Sequence, residues 1–187
     1  MRILQVIHDF MPHHVAGSEL YCFYLSSELS KRHQIDVLFT ERDLSRAQYS
    51  YRRQLHGRLT FHEVVHNREY RKFEHSYADP SMERAYVRLL EEIEPDVVHV
   101  HHLMNHSVEY PRLAKERGIK VVFTLHDYWL SCGHYGQRLR PGHGICDEID
   151  VRACADCLAN VAVMPPLHST QHVHPLWLLL LRRCSAA

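Results

Sequence analysis

Four short apolar runs, separated by helix-length stretches, constrain the fold of this chain more than any other feature: Ile3–Ile7, Ile35–Phe39, Asp96–Val100 and Lys120–Leu125. Ile3–Ile7 is nearly continuous in Ile, Leu and Val, as expected of a strand covered on both faces of a parallel sheet, and the other three runs read as further strands. Between the first two, a helical pattern starts at Ser18, with Leu20, Phe23, Tyr24 and Leu29 on or near one face and Ser18 as its cap. Strand, loop, helix and strand in that order make a βαβ unit, whose crossover is right-handed.

A second helix is predicted from Asp79–Ser81, because Met82, Tyr86, Leu89, Leu90 and Ile93 fall at i, i+4, i+7, i+8 and i+11 before Pro95 stops it. A third is predicted over Ser107–Arg117, with Pro111 early in it and Gly118 just past its end. The stretch 40–78 is polar, with one strand-like island at Leu59–Val65. The expected fold class is therefore α/β, a doubly wound parallel sheet of Rossmann type. One domain is expected over residues 1–160, followed by a 161–187 tail with a short apolar segment at Leu176–Leu181.

At 187 residues, with 45% apolar and 24% charged residues, the chain has the balance of one ordinary globular domain. Lys plus Arg equals Asp plus Glu at 22 each, so charge calls for neither nucleic acid nor an anionic membrane as partner. Leu176–Leu181 falls far short of the ~20 residues that span a bilayer. The amino-terminal apolar run is too short for an export signal. The expectation is a cytoplasmic protein, peripheral to a membrane at most, without a transmembrane segment. Its six cysteines then suggest reduced thiols or a metal in place of disulfides. The 18 histidines offer general bases or metal ligands, though scattered surface imidazoles account for most of them.

Ligands of doubly wound sheets bind beyond the carboxyl ends of the strands, which marks three loops: 9–19, 101–106 and 126–157. In the first, Gly17 precedes a helix start, where a phosphate can approach outward-pointing amides backed by the helix dipole; a simple capped turn is the alternative. Gly17, Ser18 and Glu19 are thus candidate substrate-binding residues. Neither G-x-G-x-x-G nor the P-loop pattern occurs, which disfavours dinucleotide redox chemistry and P-loop phosphotransfer. His126 follows a strand directly and is the candidate catalytic residue. Asp127 stands next to it, able to orient its ring or accept a sugar hydroxyl, and His101 ends a neighbouring strand. Cys132, Cys146, Cys154 and Cys157 fall within one loop region, and the last two have the C-x-x-C spacing that lets two thiolates share a zinc ion. Four such ligands would close a tetrahedral structural site, pinning a loop poor in apolar residues; free thiols are the alternative.

Together these residues resemble the amino-terminal domain of the family 4 glycosyltransferases, retaining enzymes of the GT-B fold. The resemblance rests on Met1–Val6, Ala16-Gly17-Ser18-Glu19, Pro95–His101 and, most specifically, Gly118–Trp129 with its His126-Asp127-Tyr128-Trp129 segment. It implies one half of a GT-B fold, Gly17 in the loop that approaches the donor diphosphate, and His126 lining the cleft near the transferred sugar. It also strengthens the case for a structural zinc at the four cysteines, since a subset of the family with His-Asp-Tyr-Trp carries a downstream cysteine cluster. The family more often has Gly-Gly at the first loop, where this chain has Ala16, and a Gly where it has Arg32.

Family members bind the nucleotide sugar on a following domain, using two glutamates seven residues apart. This chain has no Glu after Glu148, so the expectation is that the carboxyl-terminal nucleotide-sugar domain is absent and that the chain, a truncated or split product, is inactive alone. The implied activity of the complete enzyme is sugar transfer from a nucleotide sugar to a glycan or lipid-linked acceptor, with a separate domain or partner chain supplying the donor side. A second reading is a metal-dependent hydrolase built on His99, His101, His102 and His126. A third is a zinc-stabilised binding module without catalysis.

Overall fold

A computed structural model describes residues 1–134, 136–140, 142 and 144–160. The apolar run at 176–181 and the rest of the tail lie outside the described residues. The chain divides into two compact units, one over Met1–Thr124 and a second starting at Leu125.

The first unit is a six-stranded sheet in the order β3-β4-β2-β1-β5-β6. Its strands are β1 (Arg2–Val6), β2 (Gln34–Glu41), β3 (Tyr51–His56), β4 (Leu59–Val65), β5 (Val97–Val100) and β6 (Lys120–Phe123). All neighbours run parallel except β3, which turns back on β4 as an antiparallel edge. The helices are α1 (Gly17–Leu29), α2 (Pro80–Ile93) and α3 (Tyr110–Lys115). The predicted α/β class and doubly wound sheet are what the chain forms.

Alternation along each strand sends Ile3 and Ile7 of the β1 region, Ile35, Val37 and Phe39 of β2, and Leu59 and Phe61 of β4 to one face, where Cys22 and Phe23 of α1 join them. Phe10 sits among these with its ring edge-on to Phe61, centroids 5.2 Å apart, a geometry worth ~1 kcal/mol beyond the area buried. The core also holds Leu4, Val6, Val98 and Val100 and the apolar stripe of α2, Met82, Tyr86, Leu89, Leu90 and Ile93. That stripe is the one the helical spacing predicts. Asp79 caps α2 by accepting from the amides of Ser81 and Met82, and Tyr86 lies flat on Tyr110 of α3, centroids 3.9 Å apart.

Polar links fasten strands sideways through this core. Tyr51 OH donates to Nδ1 of His62 (2.7 Å), whose Nε2 donates to Asp36 (2.8 Å), joining β3, β4 and β2. His101 Nε2 donates to Gln5 of β1 (2.8 Å), and His99 Nε2 bonds Thr124 Oγ1 (2.8 Å) just past β6.

Three expectations change. The cap of α1 is Ala16, not Ser18: Ala has no acceptor, and Glu19 closes the start from the other side by accepting from Ala16 N. The helix expected over 107–117 is only Tyr110–Lys115, since a proline at its first turn fixes where the helix can begin. The run Lys120–Leu125 is a four-residue edge strand, with Val122 48% exposed, because β5 alone pairs with it. β3 lies within the polar stretch 40–78, and its five exposed positions give no inward face to signal a strand.

The second unit holds a two-stranded hairpin, β7 (Leu139–Arg140) with β8 (Gly144–Ile145), and a helix α4 (Val151–Asn160). The cysteine-rich region is therefore not a plain loop, since Cys154 and Cys157 stand one turn apart on α4.

Candidate functional site

The strand order reverses at β1: the chain leaves it for β2 on one side and later returns to β5 on the other. The crevice of a doubly wound sheet opens at that point, beyond the carboxyl ends of β1 and β5. The two segments that leave those ends meet here, the His8 and His102 rings lying 4.4 Å apart at centroids.

The β1 segment runs through His8 and Asp9 into the start of α1. Gly17 there is exposed, with open space where a Cβ would stand and no positive φ, so neither crowding nor backbone strain accounts for a glycine at this position. Glu19 is 3% exposed and accepts from Ala16 N and Ser18 Oγ, both 3.1 Å, while His8 Nε2 lies 3.2 Å from its other oxygen. The positive end of α1 thus already holds one carboxylate of its own.

His14, on the same loop, stands between two more carboxylates. Its Nε2 donates to Glu41 Oε1 (3.1 Å) at the end of β2, and its Nδ1 lies 3.8 Å from Asp9. Burial lowers the proton affinity of His14, but the Glu41 hydrogen bond and the charges of Asp9, Glu41 and Glu19 outweigh it and leave its pKa above the ordinary value. Burial, opposed by His14 and reinforced by Glu19 and Glu41, pushes the Asp9 carboxyl up to about 6. The result is a group of imidazoles and carboxylates that can accept hydrogen bonds from hydroxyls and exchange a proton near neutral pH. Gly17 and Glu19 stand out in the sequence, whereas His8, Asp9, His14 and Glu41 do not; the available signal is the pair of polar residues placed directly after an apolar strand.

The remaining candidates fall elsewhere. His101 is 1% exposed and spends its Nε2 on Gln5, so it stands within the core beneath the crevice. His102 accepts at Nδ1 from Met104 N (3.0 Å), and His99 holds Thr124. His126 and Asp127 belong to the second unit. His126 is half-buried, and Asp127 Oδ1 accepts from Trp129 N (2.8 Å), forming a turn that packs against Gly136. Gly136 has φ +71°, and a Cβ there would stand 2.7 Å from Trp129 N, so this turn admits only glycine. The His-Asp-Tyr-Trp segment is in this respect a folded turn.

The four cysteines are free thiols, and all four line one cavity of about 260 Å³ within the second unit. Among the described residues no three His, Cys, Asp or Glu side chains are grouped so as to hold a metal ion, which leaves the hydrolase reading without a metal centre there.

The family described as Glycosyltransferase Family 4 matches residues 15–175. No curated protein matches the chain. Among solved structures, trehalose-6-phosphate synthase OtsA is similar at 14% identity and a TM-score of 0.42, over 86% of this chain and 44% of that one. An apo structure of OtsA is similar at 13% identity and a TM-score of 0.42, over 67% and 33%. The α,α-trehalose 6-phosphate synthase of Burkholderia multivorans is similar at 12% identity and a TM-score of 0.37, over 66% and 32%. The chain thus spans less than half the length of these proteins. No helix among the described residues is long and apolar enough to cross a membrane.

Proposed function

Because the chain belongs to glycosyltransferase family 4, we propose that it forms the acceptor-side half of a site that moves a sugar from a nucleotide sugar to a glycan or lipid-linked acceptor. The observation that carries this reading is the group at the switch point of the sheet: a helix start with an open glycine beside His8, Asp9, His14, Glu19 and Glu41. Carboxylates and imidazoles of this kind suit the hydroxyl groups of a sugar acceptor. Gly17 leaves room for a donor phosphate to reach the backbone at the positive end of α1. His126, in the second unit, is assigned the transferred sugar by the family resemblance.

Glycosyl transfer with retention requires preorganised positive groups on the departing diphosphate. On this reading most of them come from a donor-binding domain, carried on the same polypeptide or another one.

Labelled nucleotide sugars incubated with lipid-linked or glycan acceptors test the proposal. The chain alone is expected to give no product, and addition of a donor-binding domain from a related enzyme is expected to restore transfer. In the reconstituted enzyme, Gly17→Val is expected to lower kcat/KM by ~10-fold or more, about 1.4 kcal/mol of transition-state binding. Robust transfer by the chain alone would overturn the need for a second half. Unchanged transfer in Gly17→Val would remove this glycine from the phosphate path.

A further inference from the structure

We propose that the segment Leu176–Leu181, which lies outside the described residues, seats on a half-bare face of the first unit's sheet, against β5, β6 and the flank of α1. The inference stands apart from the transferase reading.

The face is bare because of how the chain is threaded. The step from β1 to β2 moves towards one edge of the sheet, whereas the steps from β4 to β5 and from β5 to β6 move towards the other. With right-handed crossovers, α1 therefore lies on one face, and α2 and α3 lie on the opposite one. Cover for β5 and β6 on the α1 face then falls to a segment outside these crossovers.

Burial marks the same gap. Val97 of β5 is level with Ile3 of β1 and packs with it on the α1 face. Along β5, Val97 and His99 are only half-buried, while Val98 and Val100 on the opposite face are wholly buried. The register sets His99 beside Val122 of β6, which is 48% exposed. The nearer flank of α1 adds Tyr21 and Tyr24, neighbours at i and i+3 that are 47% and 57% exposed. The Tyr21 ring stands edge-on to His101, just past β5, with centroids 5.8 Å apart. A wall of tyrosine and a floor of valine and histidine thus form a shelf open to water.

The occupant follows from the rest of the sequence. Leu176-Trp177-Leu178-Leu179-Leu180-Leu181 is a run of six apolar residues, too short to cross a bilayer and too apolar to leave in water. Fifteen residues separate it from Asn160 at the end of α4, and fully extended they reach up to about 50 Å. A face on the same chain meets a segment tethered in this way at an effective concentration on the order of 1 mM. A separate partner must be abundant or tight-binding to displace it.

Trp177 reports where the segment sits. The chain has two tryptophans, so in the full chain carrying Trp129→Phe the emission comes from Trp177 alone. That emission is expected to be blue-shifted, and its quenching by acrylamide several-fold weaker than in urea. Val122→Asp is expected to raise quenching towards the urea value, and Val151→Asp, on the second unit, to leave it unchanged. A benzophenone side chain in place of Tyr24 is expected, on illumination, to crosslink to the peptide holding Leu176–Leu181 of the same molecule. That readout holds even if Val122→Asp fails to fold. Quenching unmoved in a folded Val122→Asp chain would overturn the seat on β6. Protection of Trp177 that grows with protein concentration, with crosslinks running between two chains, would give the face to a second copy. An exposed Trp177 with no crosslink to its segment would leave the face to another kind of partner, and either result overturns the proposal.

Discussion

His106 is wholly buried, and its Nε2 donates to Ile7 O (2.8 Å), tying the segment after β5 to the end of β1. Burial, opposed by that hydrogen bond, pushes its pKa down to about 4. In the unfolded chain the same imidazole takes up its proton near pH 6.5. Between these values the unfolded state binds more protons, so stability falls as the pH drops from 6.5 towards 4. From pH 7 to pH 5 this residue alone is expected to cost about 2 kcal/mol. His106→Gln keeps a donor without the titration, so the loss of urea stability between those two pH values should shrink by about that amount. An acid limb of unchanged depth in the variant would show that His106 is not its source. Asp9 works in the opposite sense: with a folded pKa near 6, above its ordinary 3.8, it favours the folded state in acid, and that advantage fades as the pH rises through 6. His8, Asp9, His14 and Glu41 were hard to read from sequence because their meaning lies in pairings across the fold, as in His14 with Glu41, 27 residues away.

Among the elements, α2 is the one most legible in the sequence, because a period of 3.6 in apolar residues leaves a helix little choice of face. Its packing was not legible: that Tyr86 would lie on Tyr110, and that Ser107 Oγ would donate to Glu83 (2.8 Å), depends on how α2 and α3 meet. Tyr86→Ala removes a fully buried ring and is expected to cost about 3–5 kcal/mol in denaturant unfolding. Tyr86→Phe is expected to cost far less, since the Tyr86 hydroxyl is buried and meets no hydrogen-bond partner among the described residues. Comparable losses in the two variants would mean that the stack is not what holds the helices together. β3 was invisible for the opposite reason. Its side chains face solvent, and the strand is held by backbone pairing to β4 and by Arg52 on the buried Glu63.

For the whole molecule, the division at Leu125 separates a unit built on buried apolar strands from one with no fully buried hydrophobic side chain among its described residues. Local opening follows the density of buried contacts. Brief proteolysis of the chain is therefore expected to cut first between Leu125 and Asn160 and to leave a protected fragment ending near Thr124, identified by mass spectrometry. First cuts inside β1 to β5 would reverse that order. The sequence pointed to the sheet because strand and helix alternate with different periods. It did not separate the two units, because hydrophobic Leu, Ile and Tyr look alike in sequence whether or not a core receives them.

The sideways links in the sheet carry one more consequence. Central parallel strands that are apolar on both faces can slide past each other without exposing anything to water, so their hydrophobic pattern selects an alignment only weakly. Leu38 of β2 is level with His62 of β4, and the imidazole reaches back two residues to Asp36. A slip of the strands would strand a carboxylate and an imidazole in the dry interior, at a cost of several kcal/mol. A few buried polar groups thus serve as the index marks by which otherwise interchangeable strands find their correct offset.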